Sequence, residues 1–385
     1  MRRSLLIAGV LGFVGFVTSF GAHIVAVNLP VYADQVGIGV ALIGVLIAAY
    51  DFAEIIAKPI FGAIADRQGM KRTMLLGIAL FTAASAAYLV VDPRLLIVIR
   101  FLQGVGAAAL SAVSLALIGV YYDERRGRAY GVYNALKGAG YVVSPLVGGA
   151  ILVSSHFSAL FLACALIGVI ALGLAAFLPR PERDTGKLED DDDDFSLKSF
   201  LAVFREPRLL PWYGVTVVNM FFVGILFGFL PVRVHAGHYP PLYTSVLLSA
   251  VAASYLLIQP LAGMLADKLS AALTIRAGLA LAGLGVIAIP FVSGALLFIV
   301  ALLAGAGVGV VWTNTDTLIS RLAKEGKLGA TMGAAGSFKE LGDMLGPILI
   351  GLLAQALGLP LGFVICGVLG LLTLPFISAR ALARL

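Results

Sequence analysis

Long apolar segments alternate with short polar turns along most of this 385-residue chain. A helix that crosses the hydrocarbon core of a membrane needs roughly 20 mainly apolar residues, and each segment is about that long or longer. The pattern therefore predicts an all-α membrane protein with twelve transmembrane helices. They cover approximately residues 5–33, 38–64, 73–91, 94–121, 128–155, 157–178, 208–234, 242–266, 273–292, 294–321, 329–355 and 359–380.

One long polar segment, residues 179–207, interrupts this pattern after the sixth run. Its acidic stretch, 189–194, is expected to be solvated. The apolar residues that follow it have helical spacing and predict a short amphipathic helix at the membrane surface. The predicted domains are an N-terminal six-helix half (1–178), an acidic cytoplasmic linker (179–207) and a C-terminal six-helix half (208–385).

The basic residues predict the orientation of these helices. Four basic residues, Lys58, Arg100, Lys137 and Lys339, lie within the predicted spans. Of the others, which lie in loops or at span ends, all except Arg94 and Arg233 are on the side of the N-terminus. Because cytoplasmic loops carry the excess of Lys and Arg, both termini and the linker are predicted to be cytoplasmic. This asymmetry also explains the net charge of +6, which needs no nucleic-acid partner.

Composition argues against a soluble enzyme. Hydrophobic residues make up 60% and charged residues 12% of the chain, whereas a soluble domain is roughly 45–50% apolar and 25% charged. The four histidines are scattered, and Cys164 and Cys366 lie in apolar runs without a nearby Cys or His. We therefore expect no metal and no cofactor, and the sequence shows no nucleotide-binding loop or nucleophile–base set.

The two halves of the sequence resemble each other at an offset of 201 or 202 residues. Repeats of this kind are common in transporters, whose substrate site lies near the middle of the membrane. Because the two cysteines occupy equivalent places in separate halves, a disulfide between them is not expected. The equivalent pairs include Lys137 and Lys339, Gly140 and Gly342, Pro145 and Pro347, and Cys164 and Cys366.

The turn between the second and third runs reads GAIADRQGMKR, residues 62–72. A positive anchor on the cytoplasmic side explains its basic residues but not its glycines or its aspartate. Glycine permits close helix packing and tight turns, and an aspartate can bind the positive end of a neighbouring helix. The residues at the informative spacing are Gly62, Asp66, Arg67, Gly69, Lys71 and Arg72.

This turn is similar to the signature loop of the major facilitator superfamily, with every motif position matched. The resemblance implies that family's fold, twelve membrane helices in two pseudo-symmetric six-helix halves, and secondary transport by alternating access. In relatives the loop acts as a gate latch, which implies that role for Gly62, Asp66 and Arg67. A weaker copy, GMLADK, lies at 263–268.

A second motif, LIVIRFLQGVGAA at 96–108, resembles one found in proton-coupled members of this family. An arginine inside a span is costly and faces a cavity or a partner. The resemblance implies that Arg100 assists proton movement, and the alternative is a structural arginine paired with a carboxylate from another span. The matching residues are Leu96, Arg100, Gln103, Gly104, Gly106 and Ala108.

The fifth span resembles the motif of the drug:proton antiporter branch, with Ser144 in place of one glycine. Its glycines are predicted to pack against a helix of the other half, and its proline to bend the span. A simple packing face is the alternative. The matching residues are Gly131, Gly140, Pro145, Gly148 and Gly149.

Carboxylates inside the predicted spans are the candidate proton sites. Two of them, Glu54 and Asp343, rank lower because Lys58 and Lys339 lie four residues away on the same helix. By the family's architecture, spans two and eleven meet, so Asp51 or Glu54 is expected to reach Lys339. The full set is Asp51, Glu54, Asp316, Glu340 and Asp343.

Lys137 and Lys339 are predicted to be repeat-related cavity charges that pair with acids in one conformation. Protonation of the acid would release the lysine and shift the conformational balance. Permanent structural ion pairs are the alternative, as is a polar packing role for His23. The remaining cavity candidates are His23, Asn134, Gln103 and Trp312.

Together these features predict a proton-coupled antiporter that exports small amphipathic or drug-like molecules. It is expected to act as a monomer in the lipid bilayer of the inner membrane. A transporter of a specific organic anion is the alternative, because Lys58, Arg100, Lys137 and Lys339 place basic groups in spans. A membrane sensor is disfavoured, because it would need a partner-binding domain or a long tail and the chain has only the acidic central loop.

Overall fold

The computed structural model describes residues 2–37, 39–90, 92, 95–121, 126–154, 156–179, 206–268, 270–324 and 328–377, and every regular element within them is helical. This confirms the predicted all-α membrane fold. The α-helices in this part of the chain are α1 (Arg2–Val36), α2 (Val40–Gln68), α3 (Met70–Ala87), α4 (Leu96–Tyr121), α5 (Arg126–Ser154), α6 (Phe157–Ala176), α7 (Leu210–Ala236), α8 (Pro241–Lys268), α9 (Ala271–Ala288), α10 (Gly294–Leu322), α11 (Leu328–Leu357) and α12 (Leu359–Leu371).

Ten helices among the described residues are long and apolar enough to cross a membrane, and α3 and α12 are not among them. The last span is shorter than the predicted run 359–380. It has 13 residues, which extend about 20 Å at 1.5 Å per residue. A 3-10 helix with Pro375 follows at Leu374–Phe376, and proline cannot donate the next helical hydrogen bond. A second 3-10 helix, Ile289–Phe291, follows α9.

The chain divides into two compact units. The first unit contains Met1–Ile38, Ala49–Leu188 and Tyr239–Ser249, and the second contains Gly39–Ala48, Glu189–His238 and Ala250–Leu385. The predicted boundaries at 178 and 208 stay a prediction. Most of the predicted linker, with its acidic stretch and its amphipathic helix, lies outside the described residues.

The internal repeat is visible in the packing inside each unit. A Cβ on Gly140 of α5 would lie 2.9 Å from the carbonyl oxygen of Phe16 and 3.0 Å from the nitrogen of Phe20, both on α1. A Cβ on Gly342 of α11 would lie 3.0 Å from the nitrogen of Phe221 on α7 and would clash with the carbonyl oxygen of Val217. These partners are equivalent residues of α1 and α7, so the same close helix pair is built twice.

The two cysteines are also equivalent in their surroundings. Cys164 and Cys366 are both free thiols, with 2% and 0% of their surface exposed. This confirms that they are small buried residues rather than a disulfide pair.

Candidate ion-coupling sites

Arg100 is a deeply buried charge of the first unit, with 3% of its surface exposed. Its Nη1 donates to Gln103 Oε1 at 2.9 Å, and its Nη2 donates to the carbonyl oxygen of Ala22 at 3.0 Å. Its guanidinium carbon lies 4.6 Å from the centre of the Tyr50 ring, a cation–π contact. These described partners are neutral. The alternative predicted from the sequence, a structural arginine, would pair with a carboxylate from another span. Because arginine stays protonated, the site holds a fixed positive charge.

Gln103 belongs to the network that positions Arg100. It is fully buried, and its Oε1 also accepts a hydrogen bond from the Tyr88 hydroxyl at 3.2 Å. Its Nε2 donates to Ser85 Oγ at 3.1 Å, and that hydroxyl donates to the carbonyl oxygen of Phe81 at 2.8 Å. The structure therefore places this predicted cavity residue in a buried network of hydrogen bonds that ends at the Phe81 carbonyl.

The two acids of α2 are both buried, and Asp51 and Glu54 each expose 7% of their surface. Lys58 Nζ lies 3.5 Å from Glu54 Oε2, which is the same-helix pair that the spacing predicted. This pair lies on one helix face, and neither partner depends on a neighbouring helix to bring them together.

The cavity candidates on α1 and α5 have different surroundings. His23 is half-buried, its Nδ1 lies 2.9 Å from the carbonyl oxygen of Ser19, and its ring centre lies 4.2 Å from that of Tyr141. These contacts favour the polar packing role for His23. Lys137 is half-buried and Asn134 is exposed.

Lys339 forms an ion pair inside the second unit. Its Nζ lies 2.6 Å from Asp316 Oδ2. The spacing had favoured Asp343, four residues along α11, as its partner, but the carboxylate beside it comes from α10. Side-chain exposure is 19% for Lys339 and 25% for Asp316, so the pair is only partly screened from its surroundings.

Aromatic rings extend this ion pair. Lys339 Nζ lies 4.9 Å from the ring centre of Trp312, one turn before Asp316 on α10. Trp312 stacks on Tyr255 of α8, with ring centres 5.8 Å apart and planes at 13°. Tyr255 meets Phe227 of α7 edge to face at 6.3 Å. The lysine therefore has a carboxylate and an indole face as partners, and one aromatic side chain from each of two further helices, α8 and α7, follows behind the indole.

The other acids of α11, Glu340 and Asp343, are both half-buried. Asp343 lies against α7: a Cβ on Gly224 would lie 3.0 Å from Asp343 Oδ1 and would clash with the Asp343 carbonyl oxygen. Because Gly224 has no side chain, the Asp343 carboxylate can lie close to the backbone of α7.

The signature loop folds as a tight turn between α2 and α3. Gly69 has φ of +93°, a conformation that side chains disfavour, and this explains the glycine. Lys71 Nζ donates to the carbonyl oxygens of Ala176 at 2.8 Å and Leu178 at 2.5 Å, at the C-terminal end of α6. This cation at a helix C-terminus is favourable and was not foreseen from the sequence.

Among the described residues, the other loop positions differ from Lys71. A Cβ on Gly62 would meet no described atom within 4 Å, so the role of this glycine in the loop stays a prediction. Arg67 and Arg72 are exposed, and the side chain of Asp66 lies outside the described residues.

The antiporter-motif helix packs mainly within the first half of the sequence. Gly140 of α5 packs against α1. A Cβ on Gly148 would lie 3.1 Å from Ile24 Cγ1, which is also on α1. Gly149 differs, because a Cβ there would lie 2.6 Å from Ser245 Cβ on α8. The predicted packing against a helix of the second half therefore holds for Gly149 but not for Gly140 or Gly148. Ser144 and Pro145 are buried within the helix, and the surroundings of Gly131 lie outside the described residues.

The Major Facilitator Superfamily profile matches residues 11–246 and 215–383, which together cover most of the chain. The chain belongs to the Major Facilitator Superfamily. The proteins of this superfamily to which it is similar are transporters, which agrees with the prediction of transport rather than catalysis.

Solved structures of transporters share the fold of this superfamily member. A D-xylose–proton symporter superposes with a TM-score of 0.79 at 14% identity, with 98% of this chain and 97% of the other covered. A bacterial homologue of the human lysosomal transporter Spinster reaches 0.81 at 14% identity, with 99% and 96% covered. At these identities the likeness concerns the fold alone.

Several relatives of this superfamily member carry names that state a substrate. The multidrug resistance protein Stp of Mycobacterium tuberculosis is 23% identical over 91% of this chain and 76% of its own length. The multidrug transporter protein MdtP of Bacillus subtilis is 28% identical over 49% of this chain and 35% of its own length. The riboflavin transporter RibZ of Clostridioides difficile is 29% identical over 44% and 38%. The first relatives are matched over only a quarter to a third of their length.

Proposed function

We propose that this superfamily member is a proton-coupled exporter of small amphipathic or drug-like molecules. The observation that carries the proposal is the ion pair between Lys339 and Asp316, with Nζ and Oδ2 2.6 Å apart. An ionised carboxylate holds the ammonium, and a protonated one holds it much less strongly. Proton uptake at Asp316 would therefore release Lys339 and change the relative free energies of the conformations.

The substrate class is supported by two further observations. Relatives named for multidrug transport or resistance match between about half and nine tenths of the chain. The ion pair also adjoins the indole of Trp312, which stacks on Tyr255, and Tyr255 in turn contacts Phe227. Flat apolar surfaces with a few polar groups suit amphipathic ligands.

The charge distribution supports the placement of the transporter. Lysines and arginines outside the helices lie almost all on one side of the predicted topology, which favours a multi-pass protein of the inner membrane with both termini in the cytoplasm. We propose that it acts there as a monomer.

Transport of a specific organic anion is the second candidate. The relative named as a riboflavin transporter favours a single defined metabolite over a range of drugs. The basic groups within the helices favour an anionic one. The ion pairs of Lys339 and Lys58 argue against an anionic substrate, because a lysine that is paired with a carboxylate attracts an anion only weakly.

The proposal is tested by proton flux in proteoliposomes that contain the purified chain and a pH-sensitive dye. Acid-loaded vesicles receive either ethidium, an amphipathic cation, or p-aminohippurate, an organic anion, and protein-free vesicles serve as the control. We expect ethidium to provoke proton release. Proton movement with p-aminohippurate alone, or transport of ethidium that ignores the pH gradient, would show that the proposal is wrong and favour the second candidate.

A further inference from the structure

The surroundings of the Lys339 ammonium are those of a binding site for an organic cation. Its Nζ lies 2.6 Å from the Asp316 carboxylate and 4.9 Å from the centre of the Trp312 ring. A carboxylate and an aromatic face are the two groups that proteins use most effectively to bind ammonium and related cations. The site is complete, and a side chain of the protein itself occupies it.

The carboxylate has further capacity as an acceptor. Asp316 Oδ1 is buried and has no hydrogen-bond partner among the described residues, while Oδ2 holds the lysine. A quarter of the Asp316 side chain and a fifth of the Lys339 side chain are nevertheless exposed. Another cation can therefore approach the pair without unfolding the helices around it.

The repeat shows that this arrangement is particular to the second unit. Lys137 is the counterpart of Lys339, but the positions equivalent to Asp316 and Trp312, at an offset of 201, are Leu115 and Ser111. The position equivalent to Tyr255 is Glu54. The lysine is thus present in both halves, whereas an aspartate and a tryptophan occupy these two equivalent positions only in the second. A purely structural lysine of the fold would not require them.

We propose that Lys339 is a tethered stand-in for the transported cation. In the absence of substrate its ammonium occupies the Asp316–Trp312 site, and a monovalent organic cation displaces it. The exchange keeps the carboxylate paired throughout, which avoids a partly buried unpaired charge. Lys339 then acts as a built-in competitor that lowers the apparent affinity for substrate. This inference rests on the proposed function and specifies its substrates as cations with an exposed or delocalised positive charge.

The experiment measures binding at Trp312 directly. The chain has two tryptophans, so Trp212→Phe leaves Trp312 as the sole indole reporter. Tetraphenylphosphonium is titrated in detergent, and tetraphenylborate, an anion of nearly the same shape, is the matched control ligand. The buffer is held at about pH 8.5, far above the ordinary aspartate range. Lys339→Met should tighten phosphonium binding about tenfold, because the ligand no longer has to displace the lysine. About tenfold corresponds to the free energy expected for one partly exposed ion pair with a cation–π contact.

Three variants separate this role from a structural one. Lys339→Arg keeps the competing charge and should show little of the gain seen for Lys339→Met. Lys324→Met, at a lysine whose side chain is 68% exposed, should bind like the parent. Asp316→Asn should weaken phosphonium binding. If Trp212→Phe impairs folding, radiolabelled phosphonium binding to the chain with both tryptophans gives the same comparison.

Unchanged or weaker phosphonium binding by Lys339→Met would overturn the inference, as would equal gains for the borate or no phosphonium binding by parent and variant alike. If ethidium still drives proton release in that case, the proposed function stands without this inference. If Lys339→Met binds tightly but no cation drives proton flux in the parent chain, the cation site stands and proton-coupled export is wrong.

Discussion

Arg100 and Lys339 are both cations held inside the helices of their own unit, but the groups that hold them differ. Arg100 is almost fully buried and is bound by an amide oxygen, a backbone carbonyl and the Tyr50 ring. Lys339 is about one-fifth exposed and is bound by a carboxylate and an indole face. Neutral oxygens do not titrate near neutral pH, whereas a carboxylate gains or loses its charge with a single proton.

The difference indicates a division of roles. A fixed charge with neutral partners stabilises one arrangement of helices, because removing it leaves buried acceptors without donors. A charge on a carboxylate can be released by a proton or by another cation. Under the proposed function, the contrast favours a structural role for the Arg100 site and a coupling role for the Lys339 site.

The largest expected effect comes from Asp316→Asn. Substrate-driven proton release should fall to the level of protein-free vesicles, because an amide of the same size cannot exchange a proton near neutral pH. The dye-loaded vesicles measure this, and Asp316→Glu should retain part of the flux. Normal proton release by Asp316→Asn would move coupling to another carboxylate and end the contrast with Arg100.

Arg100→Met should mainly reduce stability. The change leaves Gln103 Oε1 and the Ala22 carbonyl without the guanidinium donor, and we expect a loss of about 2–3 kcal/mol in unfolding free energy. Denaturant unfolding in detergent measures it, with exposed Arg67→Met as the neutral control. A stable Arg100→Met protein that has lost proton flux would show that both cations take part in coupling.

Gly104→Ala tests how rigid the Arg100 site is. A Cβ there would lie 2.9 Å from Ala53 Cβ and would clash with the carbonyl oxygen of Tyr50, so we expect a loss of about 1–3 kcal/mol. Its counterpart Gly305→Ala meets the Val251 carbonyl oxygen at 2.9 Å and should lose less. Gly62→Ala, which meets no described atom within 4 Å, should be neutral or stabilising by up to about 1 kcal/mol. Equal melting temperatures for all three would argue against a rigid α2–α4 contact.

Glu54→Gln should have the smallest effect. The Glu54–Lys58 pair is long, at 3.5 Å, and lies within a single helix, so its loss should change stability by less than about 1 kcal/mol. Proton flux should continue. Loss of flux would instead place a second coupling acid in the first unit, beside the Arg100 site.

Most of the fold could be predicted from the sequence because hydropathy reports span length directly. Twelve apolar runs became helices among the described residues, and the repeat appeared as equivalent helix pairs. The last span was predicted too long because residues 372–380 are apolar enough to continue it, while the backbone ends α12 at Leu371, shortly before Pro375.

The sites were harder to predict because spacing reports only neighbours on one helix. It gave the Glu54–Lys58 pair, but it favoured Asp343 for Lys339, whose described partner comes from α10. Lys71 was classed with the signature loop, and its bonds to the carbonyl oxygens at the end of α6 depend on two helix ends that are over 100 residues apart. The motif predicts a glutamine at position 103 of a cavity-lining helix, but it does not report side-chain burial. Gln103 is fully buried in the structure.

The burial of Cys164 and Cys366 makes this chain well suited to spectroscopy. Thiol reagents react with accessible thiolates, and both native sulfurs are shielded by the helices around them. A single cysteine introduced at an exposed site, such as Asn134, would therefore take up a spin label or a dye selectively. Distance measurements on the protein in vesicles could then begin from the natural sequence, with both native cysteines left in place.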